Sequence, residues 1–267
     1  MFSSRLGHFF NLAFFCLLTL FVIQHLIPHA PVAMAYEPDD ARDVASRLSK
    51  ILGDDNYVTA REFGIEIQFR EDVSKKMPIV AALPAKVRDH VTSLTLRKGM
   101  SDTEIRMCKC FPKTKSLYVT FLGKWPDTLS EVILGFKDLE DVWCQDADIS
   151  GPQLKSIGKM THVRCLMLGG NPIRRGDFES LKDLVEMNQL DLDETEFGDA
   201  DIKWLKGMKK LTSLSLSGTS FTDRGFAGLA EIKSLEILVV TKTKVTPEGV
   251  KELRKSIPRC IITWGDM

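Results

Sequence analysis

Histidine is nearly missing from the body of this 267-residue chain. Of five, three lie before residue 30, which leaves His90 and His162. A structural zinc site takes four ligands in most cases, so two histidines and scattered cysteines make a poor donor set. Charge of one sign is missing as well: 36 basic and 36 acidic residues give a formal net charge of zero. A nucleic-acid partner would ordinarily leave a basic domain or stripe, and none is present. No glycine loop has the form that cradles a phosphate; Gly169-Gly170 reads as a turn. After Cys16 the cysteines are Cys108, Cys110, Cys144, Cys165 and Cys260, an odd number with no framework spacing. They read as packing residues, and neither metal nor cofactor is expected.

What the chain does have is a period. With Leu211 as position 1, apolar residues fall at positions 1, 4, 6, 11, 16, 19 and 22: Leu211, Leu214, Leu216, Phe221, Phe226, Leu229 and Ile232. Units starting at Leu139, Val163 and Met187 keep the same register, 24 residues apart. A period in this range marks a solenoid of stacked units. Positions 4 and 6 alternate with polar residues, as in a short strand with one buried face. Positions 16 and 19 have helical spacing, and Thr246-Pro247-Glu248 is a clear helix start. Position 9 is Asn171, Thr195, Thr219 and Thr243 in successive units. A short polar side chain there can satisfy backbone groups in a buried turn, so these four form an expected structural ladder.

The pattern L-x-x-L-x-L-x-x-T/N, with Thr222-Asp223-Arg224-Gly225 after it, resembles leucine-rich repeat proteins of the exported bacterial type. The resemblance runs from about Val91 to the C-terminus. It implies an α/β solenoid, a right-handed horseshoe with parallel strands on the concave face and short helices on the convex face. About seven repeats plus a terminal strand are expected over residues 91–267. Family members bind many unrelated partners, so the resemblance implies a binding module and names no ligand.

Residues 1–35 read as an export signal: Arg5, an apolar run from Phe9, and the small-x-small site Ala33-Met34-Ala35. The alternative is an uncleaved anchor, since residues 9–27 are long enough to span a bilayer. Residues 36–90 read as an N-terminal cap, with a helix over Asp40 to Leu52 and a strand over 63–69. Terminal repeats are atypical because their outer face meets water. Val119 and Phe121 are taken as positions 4 and 6 of a degraded unit, with irregular geometry from about Met100 to Leu134. At the far end, Ile262 and Trp264 take positions 4 and 6 of a strand with little visible cap, which Trp264 and Met267 can fold over.

Strand positions 3, 5 and 7 face away from the core. On that face Tyr118, Trp143 and Met167 form an aromatic and sulfur-bearing patch, with Thr120 beside it. Next come the carboxylates Asp191 and Asp193, then Ser213, Ser215 and Ser217. The composition suits an interface anchor, unless the segment near Trp125 folds over Trp143 and buries it. Asp191 and Asp193 can also be read as a hydrolase pair. General acid–base work needs two carboxyls with divergent pKa values, and an open, solvated acidic rim with Glu194, Glu196, Asp199 and Asp201 would not supply that. No histidine recurs beside the serines to activate them. The first expectation is therefore an exported, non-catalytic module docking an unknown protein or peptide, periplasmic or secreted. A membrane-anchored assembly protein is the alternative, and a carboxylate- or metal-dependent hydrolase comes third.

Overall fold

The computed structural model describes residues 38–265 apart from 54, 63, 71–72 and 120–124. Readings placed on residues 1–35, on Thr120 and on Met267 lie outside the described residues. No helix among the described residues is long and apolar enough to cross a membrane.

Ten strands among the described residues form one sheet in strict chain order. They are β1 Tyr57–Arg61, β2 Gly64–Gln68, β3 Val91–Leu96, β4 Ser116–Val119 and β5 Asp141–Trp143. The second five are β6 Cys165–Met167, β7 Gln189–Asp191, β8 Ser213–Ser215, β9 Ile237–Thr241 and β10 Ile261–Gly265. Only β1 and β2 pair antiparallel; from β2 to β10 every neighbour is parallel. Parallel neighbours cannot be joined by a tight turn, so each 24-residue unit spends its second half crossing the convex side.

The inward positions of the four regular units are all buried. Val163, Leu166, Leu168, Ile173, Phe178, Leu181 and Leu184 are each 0% exposed, and the units on either side repeat the arrangement. The convex connections are shorter than α-helices in the middle of the chain. Asp177–Leu181 and Asp199–Trp204 are 3-10 segments, and Asp223–Gly225 is one that leads into a single α turn at Phe226–Leu229. A 3-10 turn rises about 2.0 Å per residue against 1.5 Å for an α-helix, so few residues cover the distance. True helices recur at Gly151–Ile157 and at Pro247–Ser256, where Thr246 accepts from the Gly249 amide as N-cap.

Two expectations change at the N-terminal side. Residues 57–61 add a strand that the alternation at 63–69 did not reveal, and the helix Pro38–Leu52 packs beside this hairpin. The irregular unit is also two residues out of the expected register: Leu117 and Val119 stand opposite Leu94 and Leu96, and Leu117 opposite Val142. Val119, not Phe121, is therefore position 6. A slip of one residue would exchange the two faces of a strand, but a slip of two keeps them, so Tyr118 still faces outward. Trp125 is fully buried with its indole N–H on Ser130 Oγ at 2.9 Å, filling a core position. At the other edge Ile262 is buried, but Ile261 and Trp264 are 56% and 37% exposed. Trp264 stands opposite Val240, in a row that is fully buried elsewhere; among the described residues no further rung covers it.

Candidate binding face

The ladder residues close the turn after each strand, in two ways. In Thr195, Thr219 and Thr243 the hydroxyl donates to the carbonyl three residues back, Leu192, Leu216 and Val240, at 2.6–2.7 Å. The same oxygen accepts weakly from the amide two residues on. Asn171 reaches further. Its Oδ1 accepts from the amides of Ala147 and Ile149, and its Nδ2 donates to Cys144 and Leu168, stitching two rungs together.

The register fixes which side chains share the concave face. Glu66, Ser93, Ser116, Asp141, Cys165, Gln189, Ser213 and Ile237 form one column. Gln68, Thr95, Tyr118, Trp143, Met167, Asp191, Ser215 and Val239 form the next. Tyr118 and Trp143 are both half-buried and their rings stack, centroids 5.6 Å apart and planes 27° from parallel. Met167 follows on the next rung at 1% exposure, a floor rather than a projection. The patch expected from the sequence is therefore an aromatic pair standing beside a closed sulfur-bearing surface.

The acidic run does not form the open, solvated rim that was expected. Asp191 and Asp201 are 6% and 5% exposed, Asp199 is half-buried, and only Glu194 and Glu196 are exposed. Asp201 caps its 3-10 segment by accepting from the Gly198 amide, and Asp199 holds the amide and hydroxyl of Thr222 on the following rung. Asp191 Oδ1 accepts from the Asp193 amide at 2.9 Å, and its Oδ2 from Gln145 Nε2 at 3.1 Å. Asp193 Oδ1 accepts from Ser215 Oγ at 2.5 Å and the Ser217 amide at 2.6 Å. Burial, then the neighbouring Asp191 carboxylate, pushes the Asp193 carboxyl up to about 8 against these bonds. Burial likewise holds Asp141 above its ordinary range despite the Ser116 hydroxyl bonded to it.

Two residues outside the expected binding site make this possible. Gly169 leaves the space for Asp191, because a Cβ there would meet Asp191 Oδ2 at 2.9 Å. Gln145, 46 positions away in sequence, donates to the same oxygen. Position 7 was the available signal, since it carries a glycine only at Gly169 among the four regular units. Ser213, Ser215 and Ser217 are all buried, and Ser213 Oγ has no hydrogen-bond partner among the described residues. The five described cysteines are free thiols, and burial raises Cys110 and Cys260 to about 12, which disfavours the reactive thiolate there.

No protein-family model matches the chain, and no curated protein matches it. Among solved structures it is similar to an internalin (inlF) from Listeria monocytogenes, at 16% identity and TM-score 0.52. That match covers 74% of this chain and 51% of the internalin, so the chain spans about half of that protein. An internalin C2 (inlC2) from the same organism matches at 12% identity and TM-score 0.50, over 72% of this chain and 92% of that one. The fold is that of leucine-rich repeat proteins.

Proposed function

We propose that this protein is an exported, non-catalytic binding module that docks a protein or peptide on the concave face of its sheet. The observation that carries the reading is the Tyr118–Trp143 stack, two large rings left half-buried on a preformed face. Aromatic anchors of this kind supply much of the binding energy at protein interfaces. A rigid sheet also spares the ordering cost that flexible loops pay on binding. Met167 would form the floor beside the anchors, and Asp191 and Asp193 would fix orientation. Export rests on the sequence of residues 1–35.

A hydrolase would need the carboxylate pair free to act. Both Asp191 oxygens and one Asp193 oxygen are already bonded to protein donors, which suits a rigid recognition floor better than proton transfer. The test is affinity capture from an extracytoplasmic extract with the full chain as bait. A Tyr118→Ala, Trp143→Ala double variant, checked for an unchanged melting temperature, serves as control. A partner held by the parent and lost by the variant supports the concave face. Identical captures by both baits would move recognition to the convex side or the ends.

A further inference from the structure

We infer that the β1 edge of the sheet is a second docking site, where an acidic segment of a partner protein adds as an extended strand. This site is separate from the concave face and does not depend on it. The first argument is the direction of the backbone. The Ile65 and Phe69 amides donate to the carbonyls of His90 and Thr95 on the β3 side, so the alternate residues of β2, Gly64, Glu66 and Gln68, turn theirs toward β1. Their partners in register are Arg61, Thr59 and Tyr57. The residues between, Val58 and Ala60, therefore point both an N–H and a C=O away from the sheet. Edge strands are ordinarily blunted by proline, lysine or a bulge. β1 reads Tyr-Val-Thr-Ala-Arg, without proline or lysine, and pairs with β2 without a bulge. Its charged residue, Arg61, is held by Glu66.

The second argument is the space beside those groups. An open groove of about 500 Å³ is lined by Val58, Thr59 and Ala60 on one side and by the helix Pro38–Leu52 on the other. Consecutive strand residues point their side chains to opposite faces, so a groove that touches all three runs along the strand's edge. The helix presents Arg42, Ser46 and Lys50, spaced to share one side, and the short Ser46 in the middle leaves room for a chain. The third argument is charge. Arg42 and Lys50 are the charged residues lining the groove. Both are exposed and neither is in an ion pair among the described residues, whereas Arg47 is held by Asp43 at 2.6 Å. From Arg42 to Lys50 the helix rises about 12 Å, at about 1.5 Å per residue, and four steps of extended chain span that at about 3.3 Å each. An acidic side chain toward each end of such a segment meets a cation while the backbone pairs with Val58 and Ala60, the mode of strand addition. A second copy of this chain would instead bring two basic grooves together, and like charges oppose that.

The experiment selects binders from a random twelve-residue peptide display library against the full chain. They are re-tested on an Arg42→Glu, Lys50→Glu double variant and on Trp143→Ala, each first checked by thermal melting; Arg42→Ala, Lys50→Ala replaces the reversal if that one melts early. The expected result is a family of acidic peptides that binds the double variant at least about tenfold more weakly, the loss of a charge-assisted contact, and binds Trp143→Ala as it binds the parent. In these peptides, methylating the backbone nitrogens of alternate residues should abolish binding and methylating those between should not, because only one set faces β1. Recovery of no acidic family, or equal tolerance of methylation at both sets, would overturn the inference. Methyl-sensitive peptides indifferent to the double variant would move strand addition to β10 and overturn it as well. So would a parent that sediments as a dimer beside a double variant that sediments as a monomer, which gives the groove to a second copy. The concave-face reading stands or falls separately, on peptides or partners lost by Trp143→Ala.

Discussion

Asp193 shows how far a single residue's behaviour departs from its type. The folded residue keeps its proton up to about pH 8, whereas the unfolded residue releases it near 3.8. Between those values the native state binds more protons, so stability is greatest at the acid end and falls as pH climbs through that window. Asn at this position can still accept from Ser215 and Ser217 and has no proton to lose. Asp193→Asn should therefore flatten the dependence of melting temperature on pH, and should melt above the parent at pH 8.5 but not at pH 5. Curves displaced in parallel would contradict this. Which face Asp191 and Asp193 occupy was legible in the sequence, because alternation alone decides it. Their burial was not, since it depends on Gly169 leaving space and on Gln145 arriving from two rungs away. The same alternation kept Tyr118 on the correct face although its unit was misregistered by two residues.

Within a unit, the turn after each strand separates two kinds of ladder residue. Thr219 serves its own rung through one strong and one weak bond. Thr219→Val should cost roughly 1–3 kcal/mol, the cost of leaving a buried polar group unpaired. Asn171 holds two amides and two carbonyls across two rungs. Asn171→Ala should cost about 3 kcal/mol or more by the same reasoning, measurable as the difference between two denaturant midpoints. Equal losses would mean that its bonds to the preceding rung add nothing. On the convex side, Asp223 accepts from the amide and hydroxyl of Thr246, the N-cap of the next helix. Asp199 treats Thr222 in the same way. The Thr-Asp-x-Gly motif is thus a rung-to-rung clamp, whose aspartate accepts from the threonine of the following unit. Sequence spacing identified the motif but not that reach. It also suggested helices where 3-10 segments form, because five or six residues read alike in either.

The stack of rungs has no central core, so its stability is local and its first rungs depend on their own ties. Glu104 supplies one of them. It accepts from the Ser101 and Val73 amides, the Ser101 hydroxyl and Arg97, joining three separate segments. Burial raises its pKa, but these bonds outweigh that and hold it below the usual carboxylate value. Its contribution is therefore present above the unfolded pKa and is lost as pH falls through the folded one. Glu104→Gln should remove about 1.5–3 kcal/mol at neutral pH, the scale of hydrogen bonds to a charged group, and less in acid. Hydrogen exchange should localise the weakening to the hairpin and the first rungs, leaving β7 to β9 protected; uniform loss would show a more cooperative molecule. Repetition made this architecture readable, since four units in one register leave little freedom. The cap was less readable because it repeats nothing.

The most direct test of concave-face recognition is calorimetric titration of a captured ligand into three proteins. They are the parent, Trp143→Ala, and Lys155→Ala on the exposed side of the convex helix Gly151–Ile157. The expected result is an affinity at least about tenfold weaker for Trp143→Ala, the low end of what an interface anchor contributes, with Lys155→Ala matching the parent. Binding unchanged by Trp143→Ala and weakened by Lys155→Ala would contradict it and place the interface on the helices.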